Sequence, residues 1–160
     1  MVQGPASEEK RLRALASYGI VDSAKEVVFD EITRLAAQLL DVPSAAVSLV
    51  DEHRQWFKAR TGIDFQETPR EYAFYAHAVE ERRYFEVTDA ANDVRFADNP
   101  LVTREQGIRF YAGAPIFNTA GYSWALFAYL IRSRVRRSPR ASARRWRIWH
   151  NLPQNGSRNA

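Results

Sequence analysis

This sequence predicts an α/β (α+β) domain with a mainly antiparallel central sheet, and three observations carry that expectation. Two early segments repeat apolar residues at helical spacing, a hairpin pattern follows them, and a helical crossover then leads into three further strand-like runs. At 160 residues and 46% hydrophobic, the chain is long enough to bury one sizeable core, and a second full domain is not expected.

The elements follow in order. From Ser7 to Tyr18, Leu12, Leu15 and Ala16 share a helical face, and Gly19 is a natural stop. Ser23-x-x-Glu26 reads as a capping box that opens a second helix. Val28, Phe29, Ile32, Leu35, Ala36, Leu39 and Leu40 give that helix its i, i+3, i+4 stripe, and Pro43 ends it. Ala45 to Val50 and Gln55 to Ala59 are strand-like around the polar turn Asp51-Glu52-His53, which makes a hairpin. Pro69 to Val79 has helical composition, Tyr84 to Thr88 is a third strand, and Asp89 to Pro100 is a polar connection. Ile108 to Phe117 and Tyr122 to Ile131 supply the last two strands.

Charge is distributed unevenly. Nine of the 23 basic residues are arginines within 131–160, which holds no acid, so the rest of the chain sets 14 basic against 19 acidic groups. The net charge of +4 therefore belongs to the tail. The chain has no cysteine, which excludes disulfides, thiolate metal sites and a nucleophilic thiol. No run of about 18 apolar residues and no signal-peptide pattern is visible, so a cytoplasmic protein is expected.

An ordered series of blocks carries a family resemblance. It begins with Arg11-Leu12, Tyr18-Gly19-Ile20 and Phe29-Asp30-x-Ile32, and continues through Val47-Ser48-Leu49-Val50-Asp51, Arg54-Gln55-Trp56-Phe57-Lys58 and Glu67-Thr68-Pro69-Arg70. Next come AFYAHAV from Ala73 to Val79, Arg95-Phe96-Ala97-Asp98-Asn99-Pro100, and Ile108-Arg109-Phe110-Tyr111-Ala112-Gly113-Ala114-Pro115. Over Glu8 to Tyr122 the chain resembles a GAF domain of the bacterial signalling type. The resemblance implies five or six strands flanked by helices, with a small-molecule pocket or a dimer surface. It implies a sensory module spanning 7–131; residues 132–160 lack a sustained apolar stripe, carry Pro139 and Pro153 and repel by like charge, so an atypical tail, disordered or loosely helical, is expected. Relatives carry a kinase or cyclase output domain, which this chain is expected to lack.

Two departures matter. Many relatives have cysteine where Tyr75 stands, so any thiol role there is lost. After Gly121, relatives continue with a segment like Leu-Gly-Thr-Leu-Cys-Val-x-Asp-x-x-Pro-Arg, whereas this chain reads Trp124-Ala125-Leu126-Phe127-Ala128-Tyr129-Leu130-Ile131-Arg132. Back-translated and started one base earlier, the codons for these residues and for Ser133-Arg134-Val135 permit Leu-Gly-Thr-Leu-Cys-Val-Leu-Asp-Pro-Val-Pro-Arg. The hypothesis is that residues from about Trp124 are read in a shifted frame. The coding DNA decides it, since codons that spell no such continuation would overturn the idea. The replacement run is still apolar and β-prone, so a strand with imperfect packing is expected there.

The candidate ligand-binding residues are Trp56, Phe74, Tyr75, His77, Arg95, Arg109 and Tyr111. His77 reads either as a ligand contact or as a hydrogen-bonded structural histidine. Trp56 could stack on a planar ligand or belong to the core. Arg109 and Tyr111 share one strand face and Phe110 and Ala112 the other, with the pocket side undecided. Asp89, Asp93, Arg95, Asp98 and Asn99 crowd one loop, where short polar side chains also suit turns. No catalytic or metal-binding motif is present, and the cofactor is unknown. The leading reading is a non-catalytic sensory module that binds a small ligand or forms a homodimer. The alternatives are an inert truncated or frame-shifted remnant and a protein that binds nucleic acid through its basic tail.

Overall fold

Six antiparallel strands form the frame of the computed structural model, which describes residues 5–75, 77–78 and 83–132. In chain order the elements are α1 (Pro5–Ser17), α2 (Val27–Leu40), β1 (Ser44–Val50), β2 (Arg54–Thr61), β3 (Glu67–Pro69), a 3-10 turn (Arg70–Tyr72), β4 (Phe85–Val87), α3 (Pro100–Thr103), β5 (Ile108–Phe117) and β6 (Ser123–Arg132). Across the sheet the order is β3-β2-β1-β6-β5-β4. The last strand therefore lies in the middle, between β1 and β5. The expected tail after Arg132 lies outside the described residues.

Local chemistry sets the turns. Asp51 caps the β1–β2 hairpin by accepting the backbone N–H groups of His53 and Arg54, both at 2.8 Å. Between β5 and β6, Asn118 Oδ1 accepts from Tyr122 N at 2.9 Å, and Gly121 takes φ +81. Gly19 closes α1 in the left-handed region, as its position after the apolar run suggests.

Alternation divides the sheet into two faces. Ala46, Val50, Phe57, Tyr111, Leu126, Ala128 and Leu130 pack with Phe85 of β4 and with Phe74, Tyr75 and Phe96 from the connections. On the opposite face Leu49, Trp56 and Ala125 meet Leu15 of α1, while Ala45, Phe110, Ala112, Tyr129 and Ile131 meet Ala37 and Leu40 of α2. The β6 run, expected to pack imperfectly, is buried over most of its length. Its bulkiest residue, Trp124, is accommodated at the strand's start, where its ring lies 5.3 Å from Tyr18.

Several expectations are corrected. In α1 the buried side is Arg11 and Leu15, whereas Ala16 is exposed. The Ser23–Glu26 capping box does not form. Glu26 is the N-cap but its side chain makes no capping hydrogen bond, pairing instead with Lys58 at 2.7 Å, and Ser23 Oγ donates to Ile20 O and accepts from Lys58 Nζ, both at 2.7 Å. In α2, Thr33, Ala37 and Leu40 are buried, but Val28, Ile32, Leu35 and Leu39 of the expected stripe face outward. The helix expected from Pro69 is broken. A 3-10 turn ends at Ala73, whose ψ of 125 is extended, and helix resumes at Tyr75. Strand β3 and helix α3 were not anticipated.

Candidate functional site

The core-facing connections bring a stack of rings over the sheet. Phe74 lies 4.1 Å from Phe96, nearly parallel at 11°, and 4.8 Å from Tyr111 on its other side. His77 continues the stack, 5.6 Å from Phe85 and 5.1 Å from Phe96. Tyr111 Oη is buried without a hydrogen-bond partner among the described residues, and burial pushes its hydroxyl well above the usual phenol range.

Beside this stack opens a cleft of about 610 Å³. The β1–β2 turn contributes Glu52 and His53, and the 3-10 turn contributes Arg70 and Glu71. His77 and the loop residues Arg95, Phe96 and Asn99 complete the wall. Its volume falls in the range of about 300–1,000 Å³ that small-molecule sites occupy.

Ion pairs hold the cleft's arginines. Arg70 donates to Asp51 O at 2.8 Å and to Glu8 at 2.6 Å. Glu8 in turn accepts from Arg11 at 2.7 and 2.8 Å. Arg11 is 1% exposed and also donates to Val50 O at 2.8 Å and to Tyr75 Oη at 3.4 Å. Burial pushes the Glu8 carboxyl up, but the hydrogen bonds from Arg11 and Arg70 outweigh it and leave it below the ordinary value. Arg95 donates to both oxygens of Asp93, and its guanidinium lies 5.1 Å from the Phe85 ring and 5.3 Å from Phe96. That hydrogen bonding lowers the Asp93 carboxyl to about 2.

The seven residues expected from sequence fall into three places. His77 and Arg95 line the cleft. Phe74, Tyr75 and Tyr111 are buried in the adjoining core, with Tyr75 Oη turned toward Arg11 and Ser123. Trp56 lies on the opposite sheet face, and Arg109 ties β5 to α3 by donating to Val102 O at 2.8 Å. Sequence reasoning missed His53, Arg70 and Glu8. Asp51 and Arg70 flank the hairpin turn and the proline, so turn chemistry was the available signal. In the polar loop, Asp89 accepts from Asn92 and Asn99 caps α3, which is turn and capping chemistry. Among the described residues no three His, Asp or Glu side chains stand together as metal ligands, and no helix is long and apolar enough to cross a membrane.

The fold defines the class first: a six-stranded antiparallel α+β domain. A family model described as GAF domain matches residues 25–140, and the chain belongs to the GAF domain family. It is 41% identical over 117 residues to a cyclic di-GMP phosphodiesterase of Pseudomonas aeruginosa, covering 73% of this chain. This chain spans 20% of that relative's length. Among solved structures it is similar to the GAF domain of an Acinetobacter phosphoenolpyruvate-protein phosphotransferase, with TM-score 0.55 and 15% identity, covering 88% of this chain and 86% of that one. It is similar also to the nlh2 GAF domain of A. aeolicus, with TM-score 0.54 and 10% identity over 91% of this chain and 92% of that one.

Proposed function

We propose that this chain is a non-catalytic, cytoplasmic sensory module that pairs with a second copy of itself through α2. The observation that carries the reading is the outward stripe of that helix. Val28, Ile32, Leu35 and Leu39 are 56%, 43%, 47% and 69% exposed. Their spacing of four, three and four is that of a coiled-coil seam. In an antiparallel pair related by a two-fold axis, Val28 faces Leu39 of the other copy and Ile32 faces its Leu35. The same patch then serves both sides, as an isologous interface requires.

Sedimentation of the full chain tests this. A concentration-dependent dimer is expected, and Leu35→Glu should give a monomer that still melts cooperatively. A parent protein that stays monomeric overturns the reading. So does a dimer that Leu35→Glu and Ile32→Glu both leave intact. If removing residues 133–160 converts a monomer into a dimer, the tail occupies the seam instead.

A second reading adds ligand binding in the cleft, and its volume and convergent polar groups favour it. A metabolite-library thermal shift in the parent, lost in Arg95→Ala, is the expected outcome. The cyclic di-GMP phosphodiesterase relative acts through a far longer chain, and its activity is not part of the proposal.

A further inference from the structure

Away from the cleft, two arginines share one aromatic ring. Arg104, directly after α3, holds its guanidinium carbon 5.0 Å from the centre of Phe65, and Arg132, ending β6, holds its own 5.5 Å from the same ring. Asp64 accepts one hydrogen bond from Arg132 at 3.1 Å and is itself 80% exposed. Two cations against one exposed carboxylate leave this corner positive.

The hydrogen bonding is incomplete in a specific way. Nε and Nη2 of Arg104, together with Nε of Arg132, are shielded from solvent and have no acceptor among the described residues. Nε and one Nη form the guanidinium edge that presents two parallel N–H groups, the edge that grips two oxygens of a carboxylate or phosphate. Buried charged donors without acceptors are costly. Packing against Phe65 alone would be served as well by an apolar side chain. Burial and the like charge of Arg132 also push the Arg104 guanidinium below its ordinary value, so an anion between them would relieve both.

We propose that Arg104 and Arg132, seated on Phe65, form an oxyanion site that takes a phosphoryl group. Three acceptor oxygens would meet three unmatched donors, with Arg104 supplying the bidentate contact. The site stands apart from both the cleft and the α2 seam. β1 separates it from the cleft, since Ser44 pairs with Leu130 beside Arg132, whereas Val50 leads into the turn that lines the cleft.

The test is a titration of the full chain with inorganic phosphate at constant ionic strength, followed by the Nε–Hε resonances of Arg104 and Arg132, the latter remaining in the Arg104 variant. Acetate serves as a second arm that separates carboxylate from phosphoryl chemistry. A saturable shift with phosphate is expected, and Arg104→Lys should weaken binding about tenfold by removing the bidentate edge. The tail arginines are unchanged in that variant and set the background. A shift that never saturates, or an Arg104→Lys protein that binds phosphate as the parent does, overturns the site. Equal saturation by acetate overturns the phosphoryl assignment. Should Arg104→Lys fail to fold, the parent titration alone still decides, because an unresponsive Arg104 Nε–Hε means that no anion engages the edge.

Discussion

Replacing Arg11 with alanine should loosen α1 from the sheet, and the size of the effect follows from its contacts. The guanidinium is 1% exposed and donates to Glu8, to Val50 O and to Tyr75 Oη. Removing one partner of a buried ion pair costs about 3–5 kcal/mol. Glu8 keeps Arg70 and is 28% exposed, so it is not stranded, which argues for the lower end. The Val50 carbonyl does lose its Arg11 donor, adding about 1 kcal/mol. The expected loss is therefore about 3–4 kcal/mol, a large share of the roughly 5–15 kcal/mol that holds a domain together. Urea unfolding at fixed protein concentration measures it, with the midpoint falling and the slope unchanged. Arg11→Lys keeps the charge but cannot reach Glu8 and Val50 O with the same fork, so it should recover less than half of the loss. A change below about 1 kcal/mol for Arg11→Ala would refute the view that this arginine anchors the helix.

Acid should destabilise the protein through Glu8 and Asp93. Both carboxyls lie below their ordinary values when folded, so their stabilising contribution is present above the unfolded value near about 4 and is lost as pH falls through the folded one, about 2 for Asp93. Thermal melts from pH 5 downward should show this, with a shallower decline in Asp93→Asn. Gly62→Ala should cost more than about 2 kcal/mol by denaturant unfolding, because φ is +69 and an added Cβ would lie 2.0 Å from Pro43 O. Tyr111→Phe should be neutral or stabilising by up to about 1 kcal/mol, since its hydroxyl is buried without a partner. A clear loss of stability there would mean that a water or ligand normally bonds the hydroxyl.

The antiparallel sheet was legible because its strands carry long apolar runs and its hairpin turns carry Asp51, Asn118 and Gly121. Short elements escaped. β3 has three residues, too few for a period to register, although Asn99-Pro100 did spell the cap and first residue of α3. The direction of α2 escaped for a different reason. Periodicity gives an apolar face but not what it meets, and here Thr33, Ala37 and Leu40 turn inward while Val28, Ile32, Leu35 and Leu39 turn out. The candidate site was half legible on the same logic. His77 and Arg95 announced themselves in chemically distinctive blocks. Phe74 and Tyr111 carry the same composition whether they line a cavity or fill it. Arg70 and Glu8 meet only through tertiary folding, so no local spacing pairs them.

The placement of β6 bears on how the chain folds. Its partners β1 and β5 belong to separate ribbons, β1–β2 and β4–β5, and β6 joins the two, with Ser44 pairing with Leu130. A chain emerging from the ribosome can therefore make the β1–β2 ribbon early but must hold both ribbons with bare edges until the final strand is synthesised. Closure of the sheet therefore waits on β6. Alanine-scale changes in β6 should slow refolding more than equal losses of stability elsewhere.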